Sequence, residues 1–284
     1  MNDSFITTNG VRLHVVSSGK SDGPLVVLLH GFPEHWRSWQ HQIPVLADAG
    51  YYVVAPDQRG YNLSDKPPRV RDYSLDELTR DIDGLIAALG RSDAIIVGHD
   101  WGGAVAYRFA MDYPARTRKL VVMNAPHPVT MARELKTFSQ ARKSWYIGYF
   151  QIPWLPETVF KLAPDYWARV FFRGAAVNKQ AFSDEDLRSM AQAGAQPGAM
   201  RAMINWYRAI VRFPPKSPEK KIAAPTLIIW AEDDVALGKR LTVGMEPWFS
   251  PDFRIEYIPH CGHWVQNEAA ARVNQLLLEF LAKP

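Results

Sequence analysis

The run Ala94-Ile95-Ile96-Val97-Gly98-His99-Asp100-Trp101-Gly102-Gly103 constrains the fold of this chain more than any other stretch. Four apolar residues read as a buried strand, and a helix-forming stretch, Ala104 to Ala110, follows almost at once. The backbone must pass from extended to helical in a very tight turn. Small residues on both sides allow that crowding. The turn holds Asp100 at its tip. A carboxylate there can attack saturated carbon and form an alkyl ester, whereas a serine in that place would attack acyl carbon.

The surrounding sequence alternates strand and helix signals. Arg12 to Ser17, Leu25 to Leu29, Tyr51 to Ala55 and Lys119 to Met123 read as strands. Leu25 to Leu29 is apolar throughout, the mark of a central strand buried on both faces. Ser74-Leu75-Asp76-Glu77 has the pattern of a capping box. It opens a helix with Leu75, Leu78, Ile82, Leu85, Ile86 and Leu89 at helical spacing. Such alternation predicts an α/β fold, a mostly parallel sheet with helices on both faces.

The alternation stops at about Pro128. From there to Ser217 the chain is rich in aromatics and helical signals but has no clear buried strand. Strand signals return at Thr226 to Trp230 and Arg254 to Ile258, and Val273, Leu276, Leu277, Phe280 and Leu281 stripe a last helix. The expected organisation is an α/β core of residues 1–127 and 218–284 with an inserted helical domain of residues 128–217. Pro126, Pro128, Pro214, Pro215 and Pro218 mark the joints.

An alkyl ester on Asp100 turns over only with three helpers: a base to activate water, a group to orient that base, and donors for the oxyanion. Trp230-Ala231-Glu232-Asp233-Asp234 follows one strand, and His260-Cys261-Gly262-His263-Trp264 follows the next. Both lie at the carboxyl edge, where open α/β sheets place their sites. His263 is read as the base and Asp234 as its orienting acid. His30-Gly31-Phe32-Pro33 follows the central strand, so the backbone N–H groups of Phe32 and Trp101 are the candidate oxyanion donors, with Pro33 fixing the loop's path.

Composition excludes other classes. The 284 residues are 47% hydrophobic and 22% charged with a net charge of +4, and the basic residues are scattered, so no nucleic-acid stripe is expected. Cys261 is the single cysteine, which rules out an intrachain disulfide. No run approaches the ~18 apolar residues of a membrane span, and the N-terminal residues lack a signal-peptide pattern. A cytoplasmic setting is expected. His260, Cys261 and His263 lack a second ligand cluster, and no nucleotide-binding glycine motif occurs, so no metal or cofactor is expected.

Together these motifs resemble the α/β-hydrolase superfamily, and within it the epoxide hydrolases. His30 to Pro33 resembles that family's H-G-x-P motif. Gly98 to Gly103 resembles its aspartate-bearing nucleophile elbow, with nucleophile, acid and histidine in the superfamily's chain order. Arg59-Gly60-Tyr61-Asn62 is similar too, with Asn62 where the family often has glycine. The resemblance implies a helical cap with two tyrosines that assist ring opening. The segment Ser144 to Gln151 places the first at Tyr149, with Tyr146 one helical turn away and read as packing; Asn205-Trp206-Tyr207-Arg208 places the second at Tyr207. A phenol keeps its proton at neutral pH and can supply it to an alkoxide, which a halide leaving group does not need.

The implied reaction takes a small-molecule epoxide and water to a vicinal diol. Trp36, Trp145 and Trp206 are candidate pocket residues. A haloalkane dehalogenase, or a ligand receptor of the same fold that has lost catalysis, is the alternative. Oligomeric state, monomer or homodimer, stays open.

Overall fold

The central strands form where apolar residues run without interruption. The structure, a computed structural model, describes residues 1–283. Its strands are β1 (Asn2–Thr8), β2 (Val11–Ser18), β3 (Leu25–Leu29), β4 (Tyr52–Pro56), β5 (Ala94–His99), β6 (Thr117–Met123), β7 (Thr226–Ala231) and β8 (Phe253–Ile258). They make one sheet in the order β1-β2-β4-β3-β5-β6-β7-β8. From β4 to β8 every pairing is parallel, while β1 and β2 join antiparallel at one edge.

Strand β1 has no counterpart in the hydrophobic pattern, because five of its seven residues are exposed. The signal that could have found it is Asn9-Gly10. Both residues take positive φ (44° and 74°), as a two-residue hairpin turn requires, and set Thr8 opposite Val11.

The core lies in two layers, one on each face. Val27, Leu29 and Ile96 face the helices Leu75–Ala88 and Trp101–Asp112. Their sequence neighbours Val26, Leu28, Ile95 and Val97 face the helices Ile43–Asp48 and Ala270–Leu281. Side chains alternate along a strand, so strands β3 and β5 need apolar residues at every position. The helix Leu75–Ala88 starts where expected, but the Ser74 side chain makes no capping bond. Glu77 is engaged instead by Asn9 and Arg80.

Between β6 and β7 the described chain is helical, from the helix Pro128–Glu134 to the helix Ala199–Arg212. Within it, Arg169–Gly174 forms a π-helical turn. Aromatic side chains of this segment meet Phe32 just past the carboxyl end of β3. Among the described residues, no helix is long and apolar enough to cross a membrane.

Candidate active site

Asp100 sits at the junction of β5 and the helix Trp101–Asp112 with φ 49° and ψ −119°. This is left-handed territory for a non-glycine residue and costs on the order of 1–3 kcal/mol. Bonds on both sides hold it: Asp100 N–H donates to the Met123 carbonyl at 3.2 Å, and Ala104 N–H donates to the Asp100 carbonyl at 3.1 Å. At Gly102 any side chain would collide with the Leu29 carbonyl, so only glycine lets the helix begin against β3.

Because β3 and β5 are neighbours, the loop after β3 comes to lie beside Asp100. A Cβ on Gly31 would come within 2.5 Å of the Asp100 Cβ. The Phe32–Pro33 peptide bond is cis. Phe32 N–H donates to Asp100 Oδ1 at 2.9 Å, and the Trp101 N–H also reaches the carboxylate. Burial pushes the Asp100 pKa up, against the opposing pull of His263, His99 and these amides.

The other Asp100 oxygen, Oδ2, faces His263 Nε2 at 3.7 Å. His263 Nδ1–H donates to Asp234 Oδ2 at 2.6 Å. Asp234 is buried, yet it also accepts from Asn124 Nδ2 (2.8 Å) and from the N–H groups of Ala236 (2.7 Å) and Leu237 (2.9 Å). Burial raises its pKa, but the His263 charge and these bonds win and hold it low. Burial disfavours the charged His263 ring; Asp234 first, then Asp100, overcome this and lift its pKa to about 9.

Above the carboxylate is an aromatic cavity of about 430 Å³ that Asp100, His263, Tyr146, Tyr149 and Tyr207 all line. Tyr207 packs edge-on against Phe32 (5.2 Å between centroids), Trp101 (5.0 Å) and Phe150 (4.7 Å). Burial, then the Asp100 charge, push its pKa well up.

Tyr146 lies edge-on to Tyr207 at 5.8 Å. Burial, then the charges of Asp100 and Asp234, push its pKa up as well. Tyr149 instead stands beside Trp145, a 67% exposed ring, at 5.8 Å. Tyr146 and Tyr149 both line the cavity, and it is Tyr146, read from the sequence as packing, whose ring meets Tyr207. The two tyrosines are three positions apart on one short helix, Trp145–Tyr149, and only the helix's docking decides which turns inward.

Two of the three tryptophans expected in the pocket lie elsewhere. Trp206 is buried below Tyr207, its indole N–H donating to the Arg59 carbonyl at 3.1 Å. Consecutive helical residues point about 100° apart, and here Tyr207 takes the cavity side while Trp206 turns into the core. Trp36 packs on the opposite face of the sheet, its backbone N–H bound to Asp57 Oδ1 at 2.9 Å. Trp145 does line the cavity.

His99 and Glu34, neither of which the sequence motifs single out, form a buried pair beside the site. His99 donates from Nδ1 to Glu34 Oε2 (2.7 Å) and from Nε2 to the His263 carbonyl (2.9 Å). Glu34 also accepts from Gly31 N–H (2.7 Å), Gln266 Nε2 (2.8 Å) and the Ser38 hydroxyl. Burial works against its charge, but the His99 charge and these donors bring its pKa to about 2. This buried pair ties the loop after β3 to the His263 loop. The available signal was an acid directly after His30-Gly31-Phe32-Pro33. Asn62 takes φ 40° and donates to Asp57 Oδ2 at 2.7 Å, which explains how asparagine serves at a glycine-like position.

Comparison with known proteins places this geometry. The alpha/beta hydrolase fold family matches residues 24–270. An AB hydrolase superfamily protein of Bacillus subtilis is 43% identical over 98% of this chain and 96% of its own. Epoxide hydrolase 1 of Caenorhabditis elegans is 39% identical over 98% of this chain and 70% of its own. The crystal structure of Bacillus megaterium epoxide hydrolase in complex with an inhibitor superposes with a TM-score of 0.89. It is 31% identical, covering 99% of this chain and 100% of that one.

Proposed function

The chain belongs to the α/β-hydrolase fold family, in its epoxide hydrolase branch, and on that premise we propose that it hydrolyses an epoxide to a vicinal diol through an alkyl ester on Asp100. The observation that carries this reading is the Asp100 carboxylate. One oxygen accepts from the Phe32 amide and the other faces His263, beneath a pair of phenols.

Asp100 Oδ2 attacks an epoxide carbon and the ring C–O bond breaks. The departing oxygen takes a proton from the phenol pair, Tyr207 and Tyr146. Both phenols have raised pKa values, so they hold their protons at neutral pH until the alkoxide forms. Residues 128–217 act as the cap that brings these phenols over the core of residues 1–127 and 218–284.

Alkylation removes the Asp100 charge, one of the three carboxylate charges, after that of Asp234 and beside that of Glu34, that keep His263 protonated. The His263 pKa then falls, its proton passes by way of solvent to the phenolate that ring opening left, and the neutral ring accepts a proton from water. The resulting hydroxide attacks Cγ of Asp100, and the Phe32 and Trp101 N–H groups hold the oxyanion. Collapse releases the diol and restores the carboxylate.

The test is His263→Gln mixed with styrene oxide and weighed by intact mass. The expected result is an enzyme heavier by one substrate, with the ester on Asp100. Unmodified protein, with styrene oxide left intact, would overturn the two-step route.

A further inference from the structure

Beside the active-site cavity lies a second one, of about 460 Å³, that the proposed reaction does not use. Phe160, Trp167 and Phe171 line both, so a single layer of side chains divides the two spaces. The rings of this wall contact one another at centroid distances of 5.2 to 6.1 Å. No hydrogen bond crosses it: the Trp167 indole donates to the nearby Val159 carbonyl at 3.0 Å.

Phe171 is the ring closest to the chemistry. It meets Phe32, whose N–H holds Asp100, at 5.8 Å. It also sits in the π-helical turn Arg169–Gly174. Such turns carry an extra residue over regular α-helical spacing and mark functional sites. Phe171 therefore stands between Phe32 and the second cavity.

The chemistry of that cavity specifies its occupant. Its inner lining includes Phe172, Met190 and Ala191, which offer no side-chain hydrogen bond. The charged residues at its edge are turned away or outward: Glu157 pairs with Arg208, and Lys161 and Arg201 are exposed. Methionine adapts its shape to a flexible apolar guest. A compact aryl epoxide needs only the first cavity; a long chain has to go further.

We propose that the second cavity is a distal subsite for the unbranched alkyl tail of the substrate, entered past Phe171. This rests on the epoxide reading of the active site.

Gly194→Phe tests it. Gly194 lines only the second cavity, and a Cβ there meets just Met200 Cε at 3.7 Å and Met203 Cε at 3.9 Å, ordinary contacts. The added ring fills the space without straining the helix Asp184–Ala195. For dodecene oxide, kcat/KM should fall by about fourfold for each methylene denied burial. For butene oxide it should not change, which also reports that the variant is folded. Ala195→Trp, on the same wall, should repeat the result. An unchanged ratio of long to short substrate in both variants overturns the subsite.

Calorimetric titration with dodecanamide, an unreactive chain of similar length, separates the two readings. Weaker binding to Gly194→Phe than to the native protein upholds the subsite, even if the native protein opens no epoxide and the active-site reading falls. Equal binding overturns the subsite.

Discussion

The two halves of the candidate active site are built differently. On the sheet side, Asp100, Asp234 and His263 stand at strand ends, and each is fixed by hydrogen bonds to backbone or buried side chains. On the helical side, Tyr146 and Tyr207 are set mainly by ring packing, edge against edge. Ester formation and hydrolysis need atoms held to a fraction of an ångström, and strand ends tied by hydrogen bonds supply that. A leaving oxygen varies in position from one epoxide to another. Phenols held by apolar packing can meet it wherever the substrate's shape puts it.

The contrast can be broken, starting with the largest effect. Asp100→Ala removes the atom that forms the bond, so diol production from styrene oxide should drop by roughly 10⁴-fold or more. Residual turnover within tenfold of the native rate would show that the sheet side does not carry the ester. On the helical side, Tyr207→Phe and Tyr146→Phe should each slow single-turnover alkylation by roughly 10²-fold, leaving ester hydrolysis intact. Tyr149→Phe should stay within about threefold, since it removes no donor over Asp100. The reverse ranking of Tyr146 and Tyr149 would return the role to the residue the sequence favoured.

Acidity separates the halves further. Alkylation requires ionised Asp100 and should fade as pH drops through its raised pKa. Hydrolysis of the ester requires neutral His263 and should speed up as pH rises through the His263 pKa. That midpoint should lie below the value of about 9 reached beside ionised Asp100. Stopped-flow traces of the two phases against pH will show it, and a hydrolysis midpoint at 9 or above contradicts the link. A smaller loss than that of either phenol over Asp100 is expected of Asn124→Ala. It takes one of several donors from Asp234 and should slow hydrolysis by about tenfold, roughly the worth of one charge-assisted hydrogen bond. An equal loss in alkylation would mean that Asn124 supports the whole sheet edge and not His263 alone.

Much of the sheet side is legible because its signals are local. An apolar run followed by glycines around Asp100 dictates strand, tight turn and helix. Acids and histidines placed just after apolar runs fall at the carboxyl edge of a parallel sheet. Glu34 and His99 escaped because a charged pair buried under a loop leaves no periodic trace; only the approach of β3 to β5 makes them partners. Strand β1 escaped because an edge strand in solvent needs no apolar residues.

By itself, the sequence determined the order of strands and helices along the chain, the aspartate at its tight turn, and the acid and histidine that follow later strands, since each depends on neighbours in the chain. Tertiary structure alone decided which tyrosine packs against Tyr207, which tryptophans are core, and that Phe171 stands between two cavities. Those outcomes depend on how short helices dock against the sheet. Residues three apart on a five-residue helix present the same pattern to a reader of sequence and opposite prospects to a substrate.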